Sequence, residues 1–501
     1  MGCRQRRWFC AAVALPLLLS VAPAAIAQNQ GQTRTVPLRL SLRQALDLGL
    51  QQSLSLRSSS LSVAESQALQ GLAKARFLPR LDLVALGTYA QVGSSVGFIS
   101  NLPAIGDLNL SLGGDGYAVV QNSFLNLGLL LNLPLLDFSR APLQQAARYG
   151  VQVAEAEQSE QQRRTRFDIE STYLSAQLAE AQIPVWERSL ALSTTLLRDA
   201  TAIRRQGLAA RIDTLQADAL LQADRQGLAE AQAQRQIALS ALARLLNLPP
   251  EQPLAVSDSL QPGAAWPLTL AQSLERSWQQ RPALQALEKQ RQAQQAKVQL
   301  ARAGRLPTVG LLLGAGISGD WLNLPVLNVN PSVGVNGDTS NLPSLNTPAS
   351  GSGSFYDWGA AISLRQPLFD GGLSRESAAL AQRRAEQSQV AIDQARQAIS
   401  QNVITWFASH RAAATQMQAA AAAARAGEES VRDALLRYRA GITPITELLL
   451  AQRNLQVSRS AEAAAIHRWN LSRAGLELES GQLQPPDAAP PSPGSAATQG
   501  G

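Results

Sequence analysis

At 501 residues the chain has room for two to four ordinary domains. Only 16% of residues are charged, while Ala, Leu and Gln dominate, which excludes an ordinary solvated coiled coil and suits helices that face other helices. The formal net charge of +7 falls to +4 without Arg4, Arg6 and Arg7, too slight a balance to argue for nucleic acid.

Those three arginines, the apolar run from Phe9 to Leu19 and the small residues of Ala25-Ile26-Ala27 read as a secretory signal peptide over residues 1–27. The mature chain is then expected to begin near Gln28, with a polar leader over 28–40. Both cysteines, Cys3 and Cys10, fall inside the signal, so the mature chain would have no disulfide or thiol chemistry. No later apolar run reaches the roughly 18 residues of a membrane helix, so any crossing of a membrane must be made by strands.

Leu42, Ala45, Leu46 and Leu50 recur at helical spacing behind Ser41, a capping residue, and the spacing predicts one helix to about Arg76. Leu270, Ser273, Leu274 and Trp278 repeat the pattern at a constant offset of 228 and continue to Gly304. Both helices end in a proline corner, Leu78-Pro79 and Leu306-Pro307. Strands are expected over about 78–92 and 123–136 in the first copy, and about 306–318 and 355–369 in the second. Glycine, asparagine and serine mark 97–121 and 319–353 as loops between them.

Leu125, Leu127, Leu129, Leu131 and Leu133 alternate with Asn126, Gly128 and Asn132. Period two puts the leucines on one face, toward lipid, and the asparagines and glycine on the other, toward a lumen. Phe124 and Phe138 bracket this strand as Phe355 and Phe369 bracket its counterpart, and Tyr89, Tyr356 and Trp358 suit an interfacial girdle. Four strands do not close a barrel, so several subunits must pool theirs.

Each copy then turns at a Pro-Leu-x-Asp corner, Pro134 to Asp137 and Pro367 to Asp370, into a run of 68 residues, Ser139 to Gln206 and Leu373 to Ala440. Each run is about 100 Å long as a helix. Phe167, Ser171, Leu174, Leu178, Ala181 and Val185, and later Ile399, Val403, Trp406 and His410, follow a 3.5-residue repeat, the sign of a left-handed coiled coil. Pro184 is expected to kink the first run. Gly207 and Gly441 end the runs as left-handed caps, and return helices lead to about 248 and 481, the second capped by Thr443 with Pro444 at its first position. The chain therefore divides into a first repeat, 41–248, with its hairpin over 139–248; a proline-rich linker, 249–267; a second repeat, 268–483, with its hairpin over 373–481; and a disordered tail, 484–501.

Motifs for chemistry fail on context. Gly314 to Gly319 fits a dinucleotide fingerprint and Gly93 to Gly97 a nucleophile elbow, but no helix opens behind either. His410 and His467 lie in helical heptads. No catalytic, cofactor or metal site is expected. Asp213 lies six residues after Gly207 and Glu447 six after Gly441. Each stands as a helix-dipole partner or as part of a carboxylate ring that favours cations at a pore mouth.

The signal, the duplicated helix–strand–strand–helical-hairpin order and the Gly207-Leu208 and Gly441-Ile442 tips together resemble the TolC family of outer-membrane efflux ducts, over about residues 40–483. The resemblance implies an α+β membrane fold in which a homotrimer closes a twelve-stranded β-barrel, continued by a coiled-coil barrel across the periplasm. It implies a passive duct for tripartite efflux or type I secretion, without catalysis or cofactor, in the outer membrane. The two loops would face outside. The tips Gly207, Leu208, Gly441 and Ile442 would dock a periplasmic adaptor, which links the duct to an inner-membrane pump. In the family an aromatic and an arginine on the second tip bond a Thr-Asp pair on the first. The matching positions here are Tyr438 and Thr443, then Ile212 and Asp213. Two entrance aspartates correspond to Glu447 and Leu450. So Asp213, Tyr438 and Glu447 are the gate candidates, and the arginine, the threonine and one carboxylate are replaced. A periplasmic coiled-coil scaffold or adaptor without a pore is the alternative, against which stand the two hairpins and the small number of strands.

Overall fold

The computed structural model describes residues 37–102, 107, 109–207 and 210–481. The expected signal peptide, the tip residue Leu208 and the tail lie outside them. In chain order, the first copy comprises β1 (Leu38–Leu40), α1 (Leu42–Gln52), α2 (Leu54–Ala75), β2 (Arg80–Asn101), β3 (Leu110–Asp137), α3 (Arg140–Arg205) and α4 (Arg211–Leu245). After β4 (Leu254–Val256) come α5 (Leu270–Gln280), α6 (Pro282–Ala303), β5 (Thr308–Val335), β6 (Asp338–Asn341), β7 (Leu345–Asn346), β8 (Ala349–Arg365), α7 (Leu373–Arg439) and α8 (Ile445–Ser480).

The expected single helix from Leu42 to Arg76 is two helices, and so is its counterpart. In the first copy Ser53 adopts an extended backbone (φ −61°, ψ 122°) and its hydroxyl accepts from the Leu56 amide at 3.4 Å, capping α2. In the second, Arg281 is extended (φ −74°, ψ 117°) because Pro282 follows it. The starts of α1 and α5 are reciprocal capping boxes, Ser41 with Gln44 and Thr269 with Gln272.

The sheet is antiparallel in the order β2-β3-β5-β8, with β6 and β7 also on β5. Its strands run well past the expected ends. Most of 97–121 and 319–353, expected as loops, is paired strand, because ladder hydrogen bonds outweigh the weak strand preference of Gly, Asn and Ser. Below the sheet, the Pro-Leu-x-Asp corners are explained by their aspartates. Asp137 accepts from the Ser139 amide at 2.8 Å. Asp370 accepts from the Gly372 and Ser374 amides at 3.0 and 2.9 Å. Each carboxylate thereby satisfies free amides where a long helix begins.

The long helices are α3, 66 residues, and α7, 67 residues, and α3 continues unbroken through Pro184. They fold back on α4 and α8, while α6 lies between α3 and α7. Close approach is bought by glycine facing tryptophan: a Cβ at Gly227 or Gly475 would sit 2.3 Å from the Trp186 or Trp406 ring. The main core lies midway along the rod, where β1 pairs with β4 in parallel and Leu46, Ile169, Tyr173, Leu242, Leu246 and Leu254 are buried together. The Tyr173 hydroxyl donates to the Leu40 carbonyl at 3.0 Å. The linker is fastened to α7 and α8. The Trp469 indole donates to the Gly263 carbonyl at 2.8 Å, and the Trp266 amide donates to His410 Nε2 at 3.2 Å. Farther along the same helices Arg281 is buried, bonded to Glu160 at 3.0 Å and to Glu479.

Candidate functional site

Strand pairing sorts the sheet into two faces. Leu125, Leu127, Leu129 and Leu131 oppose Gly87, Ala85, Leu83 and Leu81 on one side and Gly319, Ile317, Ala315 and Leu313 on the other. Ile317 and Ala315 in turn oppose Tyr356 and Trp358. Directly opposed residues share a face, so this side is apolar across all four strands. Leu125, Leu127, Leu129, Tyr356 and Trp358 are exposed on it, and Leu131 is partly so.

The other face carries Asn126, Gly128 and Asn132, opposed by Ser318, Gly316 and Leu312 on β5. The Asn126 amide donates to Ser318 Oγ at 2.8 Å, and the Ser318 hydroxyl donates to Asp357 Oδ2 at 3.0 Å. Gly128 and Gly316 are needed there, because a Cβ on either would come within about 3 Å of the facing backbone. A three-residue hydrogen-bonded chain crosses this face, between Val84, Leu86, Leu130 and Leu312.

The aromatic rim differs from expectation. Phe124 opposes Asp320 and Phe355 opposes Ser318, which places both on the asparagine face. On the leucine face the rim consists of Tyr89 and Trp321, both opposite Ser123, with Tyr356 and Trp358 below. Trp321 was hidden in the expected loop. One step beyond this rim, Gln121 donates to Gln91 at 3.1 Å and Asn323 donates to Gln121 at 2.9 Å, a row of side-chain amides that ends the apolar band.

At the far end of the rod, Gly207 and Gly441 adopt left-handed backbone, φ +76° and +70°, where a side chain would be strained. The Ile442 amide donates back to the Arg437 carbonyl at 2.9 Å, closing the second tip, and the Ile442 side chain is exposed. The cap of α8 is Pro444, not the expected Thr443. The helix starts at Ile445, and the proline's fixed φ (−70°) suits the extended cap position.

Tyr438 packs on Ala200, Ala217 and Ile445, with Leu197 and Leu449 beside them. Burial raises its hydroxyl above the usual tyrosine range, and the Asp213 and Asp199 carboxylates add to that rise. Asp213 accepts from the Ala210 amide at 3.1 Å. Tyr438 thus lies within electrostatic reach of Asp213, whereas the Glu447 side chain is exposed in the first turn of α8. Sequence reasoning missed two further links: Arg204 donates to Thr214 at 3.2 Å, and Arg439 lies 3.7 Å from Asp199. The signal for them was the basic residues in the last turns of α3 and α7.

A sheet apolar on one side, with a polar hydrogen-bonded chain on the other, carried on helices about 100 Å long, fits a class: the subunit of a membrane channel with a helical extension. Comparison with known proteins narrows it. The model of the outer membrane efflux protein family matches residues 45–248 and 273–482, and the chain belongs to that family. It is 27% identical over 453 residues to protein CyaE of Bordetella pertussis, covering 89% of this chain and 84% of that one. A membrane protein from Pseudomonas aeruginosa superposes with a TM-score of 0.68 at 22% identity, over 89% of this chain and 95% of that chain. The outer membrane protein VceC of Vibrio cholerae gives 0.66 at 18%, over 88% and 96%. The chain is thus an export channel of the outer membrane rather than an enzyme.

Proposed function

We propose that three copies join edge to edge into a twelve-stranded barrel, a passive duct that carries cargo from the periplasm or an inner-membrane pump to the exterior. One observation carries this reading. The sheet is two-faced, yet among the described residues β2 and β8 leave its edges without main-chain partners. Open edges are untenable in lipid, and closure around an axis removes them. In the closed ring Leu125, Leu127, Leu129 and Leu131 meet lipid, while Asn126, Gly128 and Asn132 line the lumen. The four long and return helices of each copy continue the tunnel into the periplasm.

At the tunnel's lower end the tips Gly207, Leu208, Gly441 and Ile442 meet a periplasmic adaptor. Asp213, Tyr438 and Glu447 border the entrance. The Tyr438–Asp213 proximity and the Arg439–Asp199 pair hold neighbouring hairpins of one subunit together there, in place of the arginine–threonine bond that the tips lack.

The test is a pair of substitutions. Leu129→Arg places a charge at mid-membrane and is expected to cost about 2–4 kcal/mol, cutting the yield of protein in purified outer membranes several-fold. Asn126→Arg, on the lumen side, should leave yield within twofold of wild type. Equal losses would refute the orientation of the barrel wall.

A further inference from the structure

The polarity of the sheet inverts beyond the Gln91–Gln121–Asn323 row. Between Gln121 and Val119 β3 advances two residues, while opposite it β5 advances three, from Asn323 to Val326. This bulge at Leu324-Pro325 reverses which side every later residue of β5 faces. Before it, Leu311, Leu313, Ala315 and Ile317 share the leucine face. After it, Leu327, Val329, Pro331, Val333 and Val335 oppose Ala118, Gly116, Gly114, Leu112 and Leu110, on the asparagine side. The β2–β3 register runs through this region without a shift, so the side is the same one. The residues between them, Asn328, Asn330 and Ser332, now take the outer side with Ser95, Ser111 and Asp115.

The wall also loses its edge here. Pro343 and Pro348 interrupt the outermost strand, separating β6, β7 and β8. Proline offers no amide to a neighbouring strand, so above β8 a neighbouring copy meets only the short, broken segments β6 and β7. Each copy is left with a leaf of sheet whose inner side is mostly apolar and whose outer side is mostly polar, with Ile99 and Tyr117 also exposed on it. Copies arranged around the lumen axis point these apolar sides at one another.

We propose that the three leaves close over the outer mouth of the duct, the face of Leu112, Leu327, Val329 and Val333 packing against the same face of the other two copies. The lid rests on the trimeric-duct reading. It is an external barrier, separate from the constriction at the helical tips.

The experiment uses intact cells and a maleimide on a 5-kDa polyethylene glycol, about the size that stays outside the outer membrane. Asn132→Cys reports the lumen below the lid, and Ser95→Cys reports the outer side of a leaf. The wild-type chain gives the background. With the lid closed, Asn132→Cys should label at least about tenfold more slowly than Ser95→Cys. Adding Val329→Asp and Val333→Asp should bring the two rates within about threefold while the trimer band persists. Equal labelling without those changes would overturn the lid, as would an Asp pair that leaves Asn132→Cys slow in an intact trimer. If Ser95→Cys itself stays unlabelled, the outer-membrane duct reading fails and the lid with it. A trimer that is labelled at Ser95→Cys and equally at Asn132→Cys sinks the lid alone.

Discussion

Arg281 shows how much one side chain can hold in this rod. Its side chain is 6% exposed, and it faces the Glu160 and Glu479 side chains, 8% and 5% exposed. Asn402 donates to Glu479 at 3.3 Å, and Arg163 donates to the Glu477 carbonyl at 3.2 Å. One residue thus ties α3, the start of α6 and the end of α8 together. Removing it would take the buried guanidinium away from two buried carboxylates, leaving Glu160 to the more exposed Arg164 and Glu479 to Asn402. Arg281→Ala is expected to cost about 3–5 kcal/mol, read as a lowered unfolding temperature in detergent. Arg164→Ala removes an exposed partner of the same Glu160 and should cost about 0–1 kcal/mol. Comparable shifts would show that the cluster is not held by Arg281. Nothing in the local sequence marks Arg281. Its place follows from Pro282 bending the chain and from α8 arriving some two hundred residues later. By contrast Gly207 and Gly441 were legible, because a tip needs a left-handed residue; Asp213 was singled out by its spacing from Gly207, and Tyr438 only by the family resemblance.

Elements in this chain are set by their ends. Asp370 holds the first turn of α7, and its carboxyl lies well below the usual range, at about 2. The donors on Ser374 do most of this, followed by the Gly372 amide and the Arg305 guanidinium. Because the folded-state pKa is lower than the ordinary 3.8, the cap contributes fully above that value. It is lost as pH falls through 3.8 toward 2. At pH 7, Asp370→Ala should speed hydrogen exchange of the Ser374 and Glu376 amides several-fold, with Asp370→Asn intermediate. Unchanged exchange would mean that the corner, not the carboxylate, starts the helix. The long helices were readable from 3.5-residue spacing and uninterrupted length. The strand ends were not, because Gly, Asn and Ser signal turns locally, and only pairing with a distant strand turns them into ladder. The bulge at Leu324-Pro325 is invisible for the same reason: β5 keeps its odd-numbered apolar residues throughout, and only the partner strand reveals that they change sides.

At the scale of the molecule, duplication is the organising fact, and it was fully visible. The offset of 228 between the short helices, the two aspartate corners and the two glycine tips each recur in the structure as paired elements. Two long hairpins give a rod, and four strands with free edges give a fragment of wall that only further copies can complete. Strand number requires several copies, and the family resemblance implies three, which is why the count is the claim to test first. Native mass spectrometry of the protein extracted in detergent from purified outer membranes measures it directly. A complex of three chains is the predicted result, giving the twelve strands of a closed barrel. A monomer in that membrane, with both sheet edges open to lipid, would contradict the account.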